Sequence, residues 1–358
     1  MAASFRWLLL LLVLGSALWA RQRSRTEPPS PVSRPSTTVT NRFITLLPPP
    51  ADTAPPRALA PVAAPPAPPP NIYPRAVQDV FEAQVALDRQ VISPGCLDGA
   101  AGSQTRAALA VLQRKMGLPI TGRLDTNTRP ALRLQTPALT TYTVTSADLA
   151  RLQPVQATWL GKSQQSALDF ATILELVAEE SCASQNFIQR LNPQVNWAKL
   201  AAGAVLSVPD AAYPEPRQKA AFVTIRLGAR TLEAWDAHTN LLAHFPCSIA
   251  AKVDKRPVGE LHVAVVAPNP NYTFNPAVFR ESPEAQALGR KLILPPGPNN
   301  PVGVAWIGLD RPGYGIHGTP SPEQVGRTES HGCFRLANWN AAYLLKLAWV
   351  GLPVYIEP

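Results

Sequence analysis

The apolar and polar positions divide this chain into stretches with different periods. Trp7–Ala20 is a continuous apolar run, followed by about fifty residues with no period at all. From Ala76 to Leu87 the residues Val77, Val80, Phe81, Val85 and Leu87 recur at helical spacing, and a turn follows at Asp98-Gly99 and Gly102. Ser103 and Thr105 open a second stripe through Ala108, Leu109, Val111 and Leu112, and a short helix is expected to end near Leu132. Tyr142–Thr145 alternates as a strand, Ile173–Glu180 reads as helix, and Val205–Pro209 closes that segment. From Ala221 the alternation is strand-like, through Phe222–Ile225, Thr231–Trp235, Leu241–Ile249, Gly259–Val266 and Val302–Ile307. Asn338–Trp349 is then expected as a helix and Val354–Ile356 as a last strand. Pro268–Pro301 is rich in Pro and Asn with only short helix-capable runs, and a loop that long in a compact domain is usually functional. It is expected to form a lid.

Composition sharpens this division. Fifteen of the 40 prolines fall between Glu27 and Pro70, so residues 21–72 read as a disordered linker unable to bury enough apolar surface to offset its ordering entropy. The run Trp7–Ala20 spans only ~21 Å as a helix, short of a ~30 Å hydrocarbon core, so residues 1–20 read as an export signal, with an uncleaved membrane anchor as the alternative. The net charge of +9 fits an anionic partner such as a cell-wall polymer or a phospholipid surface. No Lys/Arg run interleaved with aromatics is present, which argues against nucleic acid. Of the four cysteines, Cys96, Cys182 and Cys247 leave room for at most one disulfide once Cys333 is set aside.

Cys333 is set aside because of its neighbours. The chain reads Ile316-His317-Gly318-Thr319 and then Ser330-His331-Gly332-Cys333-Phe334-Arg335, placing two of five histidines beside one cysteine. A thiol with an ordinary pKa of ~8.5 is mostly protonated at neutral pH, so a nucleophilic cysteine needs an imidazole to take its proton. Gly332 permits a tight turn in which the amides of Gly332 and Cys333 could face an oxyanion. A zinc site from His317, His331 and Cys333 lacks a further Cys or carboxylate at ligand spacing, so no metal and no cofactor is expected. His238, His244 and His262 sit on strand-like stretches and read as structural or exposed.

The same residues carry a resemblance. His317-Gly318-Thr319, a loop, then Ser330-His331-Gly332-Cys333-x-Arg335 resembles the active-site motif of the L,D-transpeptidases with YkuD-like domains, which remodel bacterial peptidoglycan. The likeness reaches upstream to Asn300-Pro301-Val302-Gly303 and Tyr314-Gly315-Ile316. It implies a mainly-β catalytic domain over 220–358, with Cys333 as nucleophile and His317 as proton carrier. Ser330, His331, Gly332, Arg335, Gly318 and Thr319 fill the supporting or substrate-binding positions. The series Asp98-Gly99, Thr105-x-x-Ala108-Leu109, Gln113, Gly117-Leu118 and Thr121-Gly122-x-Asp125 resembles peptidoglycan-binding domains, implying a three-helix unit over 73–136. Residues 141–210 resemble a LysM module, an α+β glycan binder, with its first loop expanded around Arg151–Ser166. The implied chain is a multidomain, exported enzyme of the periplasm or envelope. Its expected partners are peptidoglycan stem peptides and glycan strands. A hydrolytic carboxypeptidase, another cysteine peptidase or a non-catalytic wall binder are the rival readings. The separate apolar patterns predict that everything before Ala221 is dispensable for chemistry.

Overall fold

The computed structural model describes residues 72–279, 282–328, 330 and 332–358. The apolar run Trp7–Ala20, the Pro-rich stretch through residue 71 and His331 lie outside the described residues. Among the described residues no helix is long and apolar enough to cross a membrane.

The N-terminal unit has helices at Val80–Asp88 and Ser103–Lys115 and a single turn at Thr128–Ala131. Its apolar stripes meet as expected, and its polar motif positions turn out to be internal. Buried Gln84 donates to Asp98 (2.9 Å) and Thr105 (3.0 Å), and buried Gln113 donates to Thr121 (2.9 Å) and Thr128 (2.7 Å). Amides this deeply buried are tolerated because each is satisfied, and they fix the connecting turns. The next segment pairs strand Leu139–Thr143 antiparallel with Val205–Pro209, with helices Ile173–Glu180 and Gln185–Leu191 between them. Leu87, Leu97 and Leu112 of the first unit share one continuous core with Leu176, Ile188 and Leu206 of the second. The two units are thus joined by burial as well as by chain.

The C-terminal segment forms an eight-stranded sheet. Its spatial order is Phe334–Arg335, Gly315–His317, Ala305–Leu309, Gly259–Pro268, Pro353–Glu357, Phe222–Arg226, Thr231–Trp235 and Leu241–Pro246. Pairing is antiparallel except between Pro353–Glu357 and Phe222–Arg226 and between Gly315–His317 and Phe334–Arg335. Helix Asn338–Leu347 closes one face, burying Ala341, Leu344 and Leu347 against Ile225, Phe245, Ile307 and Phe334.

Two expectations change here. The described residues of Pro268–Pro301 carry regular structure: Tyr272–Phe274 pairs antiparallel with Leu292–Leu294, and helix Pro283–Leu288 lies between them. Their small core of Phe274, Ala285, Leu292 and Leu294 is completed by Leu168 from the middle segment. Gly297, at φ +141°, lies so close to the Leu168 carbonyl that a Cβ would come within 2.2 Å of it. The segments before Ala221 are also packed onto the catalytic sheet rather than hung beside it. The His244 amide donates to Val91 O (2.9 Å) and Ser93 N donates to His244 O (2.8 Å), covering the sheet's edge strand. Arg114 reaches Glu233 at 2.8 Å, and Asn338 donates to Glu179 at 2.9 Å. All four cysteines are free thiols.

Candidate active site

The site lies where two short parallel strands meet. In their register Ile316 faces Phe334 and His317 faces Arg335. Side chains alternate faces along a strand, so Ile316 and Phe334, both buried in the core, set His317 and Arg335 on the opposite face. Cys333 stands in the bend one residue before Phe334, at the start of that strand. The Gly315 amide lies close enough to favour the Cys333 thiolate by hydrogen bonding. The sequence cluster is therefore brought together by register.

The local loops have physical causes. Ser330 Oγ donates to Cys333 O at 2.6 Å and accepts from Gly332 N at 3.2 Å, so Ser330 staples the turn that presents the cysteine. This engages the Gly332 amide inside the turn, unlike the expectation that it faces substrate. Ser330 and Arg335 are themselves held to the strand end at 248–251, with Arg335 N donating to Ser248 O (3.0 Å) and Ser330 N to Ile249 O (2.8 Å). Gly318 accepts from His317 Nδ1 at 2.6 Å. A Cβ on Gly318 would collide with Asn338 Oδ1 at 2.2 Å, so glycine is required by close packing there. Thr319 is buried, and its hydroxyl accepts from Ser321 N at 3.3 Å. His331 is outside the described residues.

Electrostatics fix the resting protonation. Burial lowers the His317 pKa to about 4; the Gly318 carbonyl opposes this and the Arg335 charge reinforces it. A carbonyl only accepts, so Nδ1 carries the proton of the neutral ring and Nε2 keeps a lone pair. The Trp306 ring, opposite His317 in the sheet, stacks on it at 5.7 Å and 25°. Burial pushes the Cys333 thiol up from its usual value, with Gly315 and Arg335 pulling the other way. The Cys333 thiol donates to Gly313 O at 3.4 Å, which agrees with a protonated sulfur. At rest the pair is a neutral thiol and a neutral imidazole.

Several contributors escaped sequence reasoning. Tyr272 of the 268–301 subdomain lies near enough for Cys333 and Arg335 to act on its titration, and burial raises its pKa. Trp159 stacks on Phe274 at 4.4 Å and leans on Tyr272 at 6.4 Å. Arg335 lines a cavity of about 310 Å³ together with Trp159, Lys162, Ser248 and Thr319. No sequence period signals these residues, since Trp159 and Tyr272 lie more than a hundred positions apart. Of the other histidines, buried His244 faces Glu233 at 3.2 Å and half-buried His262 faces Asp310 at 3.2 Å. Among the described residues no three His, Cys, Asp or Glu side chains converge as metal ligands.

Comparison with known proteins agrees with this geometry. The family model described as "L,D-transpeptidase catalytic domain" matches residues 220–356, and that described as "Putative peptidoglycan binding domain" matches residues 77–132. The chain is 24% identical over 185 residues to "Putative L,D-transpeptidase YkuD" of Bacillus licheniformis, covering 52% of this chain and 93% of that protein. It is 37% identical over 108 residues to "Putative L,D-transpeptidase YqjB" of Bacillus subtilis, covering 29% of this chain and 52% of that one. A solved L,D-transpeptidase from Mycobacterium smegmatis aligns at 20% identity and TM-score 0.31, over 45% of this chain and 76% of that chain. Neither family match extends over 141–209. The family and sequence matches identify residues 220–356 as an L,D-transpeptidase catalytic domain, preceded at 77–132 by a peptidoglycan-binding domain.

Proposed function

We propose that the enzyme joins peptidoglycan stem peptides by a two-step acyl exchange at Cys333, with His317 as proton carrier. In the first step Sγ attacks the carbonyl between an L-centre and a terminal D-residue, while His317 Nε2 takes the thiol proton. The Cys333 amide is the donor left in the turn for the oxyanion, since Gly332 already bonds Ser330. Collapse breaks the C–N bond, the D-amino acid leaves with the proton from His317, and a thioester remains. An amine of a second stem then attacks the thioester and the thiol is regenerated. The observation that carries this reading is convergence on one strand pair: the amide of Gly315, two residues before His317, acts on Cys333, Arg335 acts on both, and His317 Nδ1 is tied to Gly318 so that Nε2 keeps its lone pair. Incubation with defined muropeptides tests it: cross-linked dimers in the mass spectrum support transpeptidation. Trimmed stems without dimers, even at high acceptor concentration, would make the enzyme a carboxypeptidase.

Two expected results follow from the same pair. His317→Gln should lower the rate of acylation by roughly 10²–10⁴-fold, the range of a positioned general base. Unchanged acylation by a folded His317→Gln variant would remove His317 from that role. Because His317 is neutral above its folded pKa of about 4, acylation should stay level from roughly pH 5.5 to 7.5 and lose rate only as pH falls toward 4. A stopped-flow profile whose acid limb lies near ~6.5, the ordinary imidazole value, would contradict this.

The N-terminal parts fit the same task. The 73–136 unit would hold the enzyme on peptidoglycan. Paired strands flanking helices Ile173–Glu180 and Gln185–Leu191 support a LysM-like module, whose expanded first loop, carrying helices Ser146–Arg151 and Trp159–Ser163, packs on the catalytic domain. Such a substrate places the enzyme in the cell envelope, with the apolar run at 7–20 as export signal or tether. Fractionation of cells for the full chain, followed by N-terminal sequencing, tests both.

A further inference from the structure

The cavity beside Arg335 is walled by a segment that lies outside both family matches. Helix Trp159–Ser163, in the expansion of the middle module, presents Trp159 and Lys162 to it. The catalytic domain supplies Ser248, Thr319, Gln324 and Arg335. This wall is fixed in place. Thr158 caps the helix by accepting from Gly161 N at 2.9 Å, and Glu284 of the 268–301 subdomain accepts from Trp159 N at 2.6 Å. The Trp159 ring is stacked on Phe274 at 4.4 Å, and the Lys162 ammonium lies 5.4 Å from the centre of the Trp159 ring. Among the described residues no ion pair joins Lys162 to a carboxylate, whereas Arg151 of the same module pairs with Asp169 at 3.1 Å. A cation half-withdrawn from solvent over an aromatic face, at the mouth of a cavity that reaches the residue two positions after the cysteine, suits an anionic group on the substrate.

We propose that this cavity is the subsite for a carboxylate of the stem peptide, with Lys162 as the anion-binding group and Trp159 as the apolar wall. The proposal rests on the transpeptidase reading and names the part of the substrate that its site recognises. A stem peptide offers a carboxylate from two sources: the terminal D-residue of the donor, or the acceptor strand. A volume of about 310 Å³ lies at the small end of ligand pockets, enough for part of one stem rather than two. The middle module thus takes part in substrate selection, apart from any contact it makes with glycan.

Binding measurements on the full chain test this without chemistry. In a Cys333→Ala background, calorimetry would compare donor and acceptor peptides, each as free acid and as amide, with and without Lys162→Met. The expected result is a loss of roughly tenfold or more in affinity for one of the two acids, no loss for its amide, and recovery by Lys162→Arg. The peptide whose free acid loses affinity while its amide does not identifies the source of the carboxylate. Equal affinity of both acids for the two backgrounds overturns the subsite, and so does an equal loss for acid and amide. Failure of the parent enzyme to acylate or cross-link is a separate result that would sink the transpeptidase reading while leaving the binding outcome readable.

Discussion

Cys333→Ala should abolish covalent capture by a carbapenem, whose strained carbonyl reports a competent thiol, and should reduce turnover of muropeptides by ~10⁴-fold or more. The parent enzyme is expected to gain one adduct by intact mass, located by digestion on the peptide containing Cys333. The other three thiols are poor candidates for physical reasons. Burial pushes the thiols of Cys96, Cys182 and Cys247 far up, and at Cys96 the carboxylates of Glu323 and Asp98 add to the effect. Cys333 is also raised by burial, but the Gly315 amide and Arg335, the latter paired with His317 in the sheet, pull it back. Cys333 is half-buried and its side chain makes one long hydrogen bond, so the alanine variant should melt close to the parent. An adduct on another cysteine, or an undiminished adduct in Cys333→Ala, would displace the nucleophile from this site.

What the sequence made legible was whatever chemistry or periodicity forces into short spacing. A thiol nucleophile needs a base and a tight turn, and those residue types stand within the short stretch 317–335, so His317, Ser330, Gly332, Cys333 and Arg335 could be picked out before any fold was known. The helical stripe at Ala108–Leu112 was equally plain, because Thr105, Ala108, Leu109 and Leu112 bury one face at a period of 3.6, whereas the first helix, Val80–Asp88, is buried all round from Ala83 to Asp88. Tyr272, Trp159 and Lys162 were not. They meet only because Leu168 completes a core with Phe274, Leu292 and Leu294, and such a pairing leaves no local trace. The Pro- and Asn-rich composition of 268–301 also concealed a hairpin of just three residues per strand. The docking of the N-terminal units was hidden for a related reason. Val91, which joins the core of the catalytic sheet, follows directly on a helix whose apolar residues are already accounted for by their own core.

That docking leads to a result opposite to the one expected from the separate apolar patterns. A chain starting at residue 214 should fail to fold as a catalytic domain. It would lose the backbone bonds at His244 that cover the edge strand Leu241–Pro246, and an uncovered edge invites pairing with other chains. Removing Arg114 would leave the buried Glu233 carboxylate with Arg226 and His244 alone. Without Leu168 and Trp159, the apolar faces of Phe274, Leu292 and Leu294 would open to water. Full exposure of those three would forgo up to about 4–9 kcal/mol, against a typical total stability of ~5–15 kcal/mol. Val91 shows how firmly the contact is set: a β-branched residue at φ +58° costs of the order of 1–3 kcal/mol and persists only where its surroundings over-determine it. The truncated chain should therefore show no cooperative melt, should bind a hydrophobic dye, and should not acylate with a carbapenem. Supplying residues 72–213 in trans should restore part of the acylation, because the lost contacts are non-covalent. A cooperative transition and acylation at the parent rate by residues 214–358 alone would show instead that the sheet and its 268–301 subdomain hold the site without the modules packed against them.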